Sequence, residues 1–116
     1  MKNFKNLKVW QNGVDLVVNV YKSIENFPKD EVYGLTGQIK RSAISIPSNI
    51  AEGAGRNSDK DFNRFLDVAL GSSFELETQL IIANKLNFLN DEKFSQLDSK
   101  LDEEQKMLIG LQKSLK

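Results

Sequence analysis

Apolar residues return every three or four positions along nearly the whole chain, and four stretches carry the pattern. Over residues 7–26 the seam Trp10, Val14, Val17, Tyr21 and Ile24 steps by four, three, four and three, a heptad spacing. Leu16, Val18 and Val20 widen that surface, as in a helix packed against two neighbours. Over residues 34–56 the two sides separate cleanly. Leu35, Ile39, Ala43, Ile46, Ile50 and Ala54 form one face; Gln38, Arg41, Ser45, Ser48, Asn49, Glu52 and Arg56 form the other. A third helix is predicted from Asp59 to about Asn87, with Phe62, Phe65, Leu66, Ala69, Ser73, Leu76, Leu80, Ala83 and Leu86 at helical spacing. Phe74, Ile81 and Phe88 make a second stripe on it at seven-residue intervals. In the fourth, Phe94, Leu97, Leu101, Leu108, Leu111 and Leu115 keep the three-four rhythm, with Glu104 in the slot between Leu101 and Leu108. No stretch has the strict alternation of a strand. The expectation is an all-α protein: one domain over residues 1–116, an up-down-up-down antiparallel four-helix bundle.

The punctuation agrees. Asn3 and Asn6 are both placed to cap the first helix. Phe27-Pro28-Lys29-Asp30 ends it, because the residue before a proline is driven away from helical angles, and Asp30 is placed to cap the second helix. Gly34 and Gly37 loosen the start of that helix. Pro47 lies inside it, where it removes the hydrogen bond to the Ala43 carbonyl and costs on the order of 3 kcal/mol. A proline-bent second helix is expected; the alternative is two shorter helices broken at Ile46. Gly53 and Gly55 stand where a helix would stop in a left-handed residue. Ser58 then caps the third helix, with Asp61 three residues on. Asn90 or Asp91 caps the fourth.

The wet side of the second helix is unusual. A helix on a monomer's surface carries long Lys and Glu side chains there, whereas Ser45, Ser48 and Asn49 are short. Short polar groups admit another backbone closely. Ser45, Ser48, Asn49 and Glu52 are therefore candidate contacts with a sister subunit, and two buried stripes on the third helix point the same way.

Composition narrows the chemistry. The 116 residues contain no cysteine and no histidine. This excludes disulfides and thiolate metal sites, and it removes the commonest general base and the commonest metal ligand. No catalytic residue, cofactor or metal site is assigned. Glu75 and Glu77, two positions apart, project about 200° apart on a helix and cannot chelate one ion together. They are expected to fix register, one of them pairing with Arg41, Arg56 or Arg64 across the second and third helices. The block Asp102-Glu103-Glu104 with Lys100 and Lys106 reads as a solvated face with helical ion pairs. Gly53-Ala54-Gly55 is too short for a nucleotide fingerprint and follows a helix rather than a strand. Trp10 with Lys5, Lys8 and Tyr21 has the residue types that stack on single-stranded nucleic acid, but its place on the seam favours the core. Lys plus Arg and Asp plus Glu number 16 each, so the net charge is zero; proteins that grip phosphates are usually basic. The longest wholly apolar run is residues 80–83, far short of a membrane span. The first residues show no signal-peptide core. A cytoplasmic protein with no membrane partner is expected.

The runs LKVWQNGVDLVVNVY, FPKDEVYGLTGQIKRSAISIPSNIAEGAGRNSDKDFNRFL and ALGSSFELETQLIIANKL carry a family resemblance across the chain from Leu7 onward. They resemble the bacterial four-helix-bundle proteins encoded in intervening sequences of 23S ribosomal RNA genes, whose own activity is not established. The accessory variability determinants of diversity-generating retroelements are similar; these assemble as homopentameric barrels and bind nucleic acid and a reverse transcriptase through basic surfaces. The resemblance implies a homo-oligomeric ring, five-membered by analogy, and a partner that is RNA or a reverse-transcriptase-like protein. This chain departs from the retroelement members in being neutral, and it has Ser42 after Lys40-Arg41 where the family often has alanine. The candidates for a basic surface are Lys40, Arg41, Arg56, Lys60 and Arg64, which flank the second helix and the turn after it. The expected function is a non-enzymatic oligomeric scaffold binding RNA or an RNA-handling protein; the alternative is a protein-interaction module with no nucleic-acid role.

Overall fold

The computed structural model describes residues 3–115. The apolar spacing becomes four helices, α1 (Lys8–Ser23), α2 (Leu35–Ala54), α3 (Asp59–Lys85) and α4 (Asp91–Ser114), with short 3-10 turns at Phe4–Asn6 and Lys29–Glu31. No strand occurs among the described residues. Each helix packs on the next and α1 also packs on α4, which closes the bundle. Helix pairs run antiparallel: Ser42 meets Glu75 while Ser45 meets Ser72, and Glu77 meets Gln105 while Asp67 meets Gln112. The longest dimension is 43 Å, close to the roughly 40 Å that the 27 residues of α3 span. Among the described residues no helix is long and apolar enough to cross a membrane.

The core takes one face from each helix. Ile39, Ala43, Ile46, Ile50 and Ala54 of α2 are buried as their spacing predicts, and so are Phe62, Leu66, Ala69, Leu76, Leu80 and Ala83 of α3. In α1 the seam is displaced by about one residue. Val9, Gly13, Leu16, Val20 and Ile24 face inward, while Trp10, Val14, Val17 and Tyr21 are half-buried along the rim. Both stripes are apolar, so periodicity alone does not choose between them. Large rings with a polar handle settle at a rim, where the polar atom stays wet, and small Gly13 fits the crowded interior. Trp10 packs edge-on against Phe4, with ring centroids 5.1 Å apart.

The helix ends show which local signals operate. Ser58 Oγ accepts from the Asp61 N–H at 3.1 Å, and Asn90 Oδ1 from the Lys93 N–H at 2.8 Å. Asn3 caps only the first 3-10 turn, through the Lys5 N–H; α1 itself starts without a side-chain cap. At the start of α2 the cap comes from Glu31, not Asp30: Glu31 Oε1 accepts from the Leu35 N–H at 3.1 Å. α2 continues unbroken through Pro47.

The glycine expectation at its end is corrected. No described glycine has a positive φ, and Gly55 sits at φ −80°. Gly53 is needed for space instead, since a Cβ there would lie 2.6 Å from Phe65 Cβ and 3.0 Å from Phe62 Cδ1. The left-handed residue is Asn87, φ 64°, after α3. Around it the Phe88 N–H reaches the Ala83 carbonyl and the Asn87 N–H the Asn84 carbonyl, the pairing of a Schellman cap. The turn carries Phe88 back onto Phe27, with centroids 5.8 Å apart.

Candidate functional site

The short polar residues of α2 turn toward α3. Ser45 Oγ and Ser72 Oγ are 2.8 Å apart, and Ser42 Oγ donates to Glu75 Oε1 at 3.0 Å. The Asn49 amide donates back to the carbonyl and hydroxyl of Ser45 at 2.7 and 2.9 Å. Small hydroxyls thus let α2 and α3 approach within one chain, where the sequence suggested an approach between chains. Ser48 and Glu52 remain exposed on α2. A groove of about 390 Å³ lies along this seam, lined by Gln38, Arg41, Ser42, Ser45, Ser72, Glu75 and Gln79. Its charged members are one guanidinium and one carboxylate. They share the groove without forming an ion pair.

The expected cross-helix pairing of Glu75 or Glu77 with an arginine is therefore not made among the described residues. Glu75 takes its hydrogen bond from Ser42, and Glu77 takes one from the Gln105 amide at 3.1 Å. Two of the three arginines have acidic partners three or four residues away instead. Arg56 lies 3.4 Å from Glu52, and Arg64 lies 3.8 Å from Asp61. Both guanidinium groups also cover Phe65, at 4.7 and 5.0 Å from its ring centre. Exposed pairs of this kind contribute little to stability, but here they hold two cations over one ring beside exposed Lys60. Lys40 is elsewhere, 5.0 Å over the Tyr21 ring on the α1 side, and Arg41 is in the groove. Fourteen residues of α2, roughly 21 Å, separate Lys40 from the helix end at Ala54, and Arg56 lies beyond it. The five basic candidates do not form one surface: Lys40 lies on the α1 side, Arg41 in the α2–α3 groove, and Arg56, Lys60 and Arg64 at the turn.

The residue that departs furthest from its sequence expectation is Glu104. It is wholly buried, with 0 % of its surface exposed, not part of a solvated face. Its Oε1 accepts from the Asn12 amide at 3.0 Å, and its Oε2 is buried with no partner. A Cβ on Gly13 would fall 2.7 Å from that oxygen and 3.5 Å from Pro47 Cβ, so α1, α2 and α4 converge on this carboxyl. Burial pushes its pKa up to about 7; the Asn12 hydrogen bond opposes the rise, and neighbouring Glu103 adds to it. The signal was present in the sequence: Glu104 fills an apolar slot between Leu101 and Leu108.

With this geometry, a family model described as 23S rRNA-intervening sequence protein matches residues 5–110. The chain belongs to that family. Among solved structures it is similar to a protein of unknown function from the S23 ribosomal protein family of Bacteroides thetaiotaomicron. The TM-score is 0.81 and the identity 27 %, over 90 % of this chain and 98 % of the other. No match is found among curated proteins.

One further surface stands out on this member of the intervening-sequence family. Val17, Val18, Tyr21, Lys22 and Ile44 line a shallow hollow of about 400 Å³ between α1 and α2 whose surface is apolar throughout. Val18 and Ile44 are 46 % and 43 % exposed. Phe74 and Ile81 of α3 are exposed as well, so the second α3 stripe lies outside the core, except for half-buried Phe88; Leu86, expected on the core face, is exposed too, because α3 ends one residue before it.

Proposed function

We propose that this protein is a non-enzymatic scaffold that assembles into a homo-oligomeric ring and holds RNA, or an RNA-handling protein of the reverse-transcriptase kind, at the α2–α3 turn. The apolar hollow formed by Val17, Val18, Tyr21 and Ile44 carries the assembly half of this reading. Each partly exposed aliphatic side chain gains about 1 kcal/mol or more when covered, and the family resemblance supplies a copy of the same chain as the cover. Exposed Ser48 and Glu52 continue this surface along α2, with Pro47 bending the helix toward the neighbouring subunit. Five copies is the number the resemblance implies.

The RNA half rests on Arg56 and Arg64 over Phe65, with Lys60 beside them. Repeated around a ring, these cations make a local field that zero net charge does not reveal. Light scattering tests the assembly: the native chain is expected as a multimer and Ile44→Lys as a folded single subunit. A native chain that runs as a monomer refutes it. Single-stranded RNA binding is expected to weaken steeply with salt, with a shallower salt slope in Arg56→Gln/Arg64→Gln. Absence of binding at low salt removes the RNA half alone.

A second reading, a protein-interaction module without nucleic acid, is favoured by the acids that Arg56 and Arg64 already face, Glu52 and Asp61. Affinity capture from its own host, with and without nuclease, separates the two: partners that survive nuclease support the module.

A further inference from the structure

The outer face of α3 is apolar where a surface helix normally carries charge. Val68 and Phe74 are each 49 % exposed, and Ile81 and Ile82 follow at helical spacing, 37 % and 43 % exposed. Gly71 lies between Val68 and Phe74, with nothing within 4 Å of its Cβ position, so no described residue covers the face there. Contiguous exposed apolar surface on a small bundle marks a contact site. This one is a ridge, the outer side of a single helix. The apolar surface between α1 and α2 is a hollow.

Charge sets the two surfaces apart. From Phe65 to Asn84, α3 carries the acids Asp67, Glu75 and Glu77 and no base. The charged groups at the hollow are cations: Lys22 lines it, and Lys40 lies 5.0 Å from the centre of the Tyr21 ring. A ridge set on its own copy places acid against acid, and a hollow set on a hollow places lysine against lysine. A ridge set into the hollow of a second copy brings unlike charges together. Exposed ion pairs add little affinity, but like-charge contact decides against the wrong faces. Shape agrees, because two hollows enclose a void while a ridge fills one. A contact between two different faces leaves each copy with one face still open, so it propagates and can close into a ring; a same-face contact stops at a pair.

We propose that the α3 ridge of one copy, led by Phe74 and Ile81, docks in the α1–α2 hollow of the next, so that every subunit gives one face and receives the other. This rests on the self-assembly read above and supplies the face that the hollow receives.

The test is light scattering on three proteins: the native chain, Ile44→Lys in the hollow and Phe74→Lys on the ridge. Both positions are exposed, so both variants are expected to keep the native far-ultraviolet circular dichroism. Each alone is expected to run as a single subunit, because all its copies lack the same face. Mixed in equal amounts, they are expected to form a two-subunit species and nothing larger. The intact ridge of Ile44→Lys fits the intact hollow of Phe74→Lys, and the two faces left over are both spoiled. Ile81→Lys takes the place of Phe74→Lys, with the same expectation, if that chain loses its helical signal. A ridge variant that assembles as the native chain does overturns the proposal while the ring and its hollow stand. Two single-subunit variants that stay apart when mixed overturn it as well. A native chain that runs as a monomer removes the assembly itself and this contact with it.

Discussion

Glu104→Gln isolates the energetic consequence of a carboxyl placed in the bundle interior. In the unfolded chain this side chain titrates near its ordinary value of 4.5; in the fold burial raises that to about 7. Below 4.5 the group is neutral in both states and its contribution does not depend on pH. Between 4.5 and 7 the unfolded chain releases the proton while the folded one keeps it, so stability falls as pH rises. Above 7 both states are ionised and the loss is complete. At about 1.36 kcal/mol per pH unit, the full loss is about 3 kcal/mol, a large fraction of the 5–15 kcal/mol typical of a domain.

The glutamine amide introduced by Glu104→Gln cannot ionise, and it keeps the length of the side chain and an oxygen for Asn12. Urea unfolding, followed by far-ultraviolet circular dichroism at steps from about pH 4 to pH 8, measures both proteins. The difference between them cancels other carboxyls, including Asp98, which burial, Glu77 and Asp102 also push upward. The two are expected to match within about 1 kcal/mol at the acid end, with the variant gaining about 3 kcal/mol at the alkaline end. A difference that stays flat across the range refutes the buried, neutral carboxyl.

Further outcomes are expected from glycine, cap and proline substitutions. Gly53→Ala destabilises by about 1–3 kcal/mol in urea unfolding, because its Cβ meets Phe65 and Phe62; Gly71→Ala and Gly110→Ala, facing open space in α3 and α4, stabilise by roughly 0.5–1 kcal/mol each. Ser58→Ala removes the acceptor for the Asp61 N–H and lowers stability by about 1 kcal/mol in the same assay. Pro47→Ala leaves the helical signal intact and changes the mass measured by light scattering, because the proposed bend shapes the proposed subunit contact; an unchanged mass counts against that role.

Legibility in the sequence followed the strength of each local signal. α2 and α3 were readable because each has one clear apolar face: Ile39 to Ala54 and Phe62 to Ala83 are buried as spaced. Ser58 and Asn90 were readable because caps act within three residues. The α1 seam was not, since two adjacent stripes compete and only packing against Glu104 and Pro47 explains why Gly13 faces inward. The serines of α2 mark a close-approach surface, but spacing on one helix does not say which helix approaches; Ser72 and Glu75 answer that. For Glu104 two signals conflict: its slot between Leu101 and Leu108 is a core position, but its neighbours Asp102 and Glu103 are exposed and a run of acids suggests solvent. The groove was invisible because Arg41, Glu75 and Gln79 lie on two helices and come together only through their antiparallel register.

The very short link between α2 and α3 has a consequence for how the molecule comes apart. Only Gly55 to Ser58 separate the two helices, and their partners lie close in sequence, so this hairpin closes with little loop entropy to overcome. α4 brings the interior acid and meets α1 across nearly the whole chain length, so the ionisation penalty falls on its docking. Alkaline conditions should therefore loosen α4 while the hairpin holds, and amide exchange in α4 should quicken with pH beyond the intrinsic rate before that in α2 and α3 does.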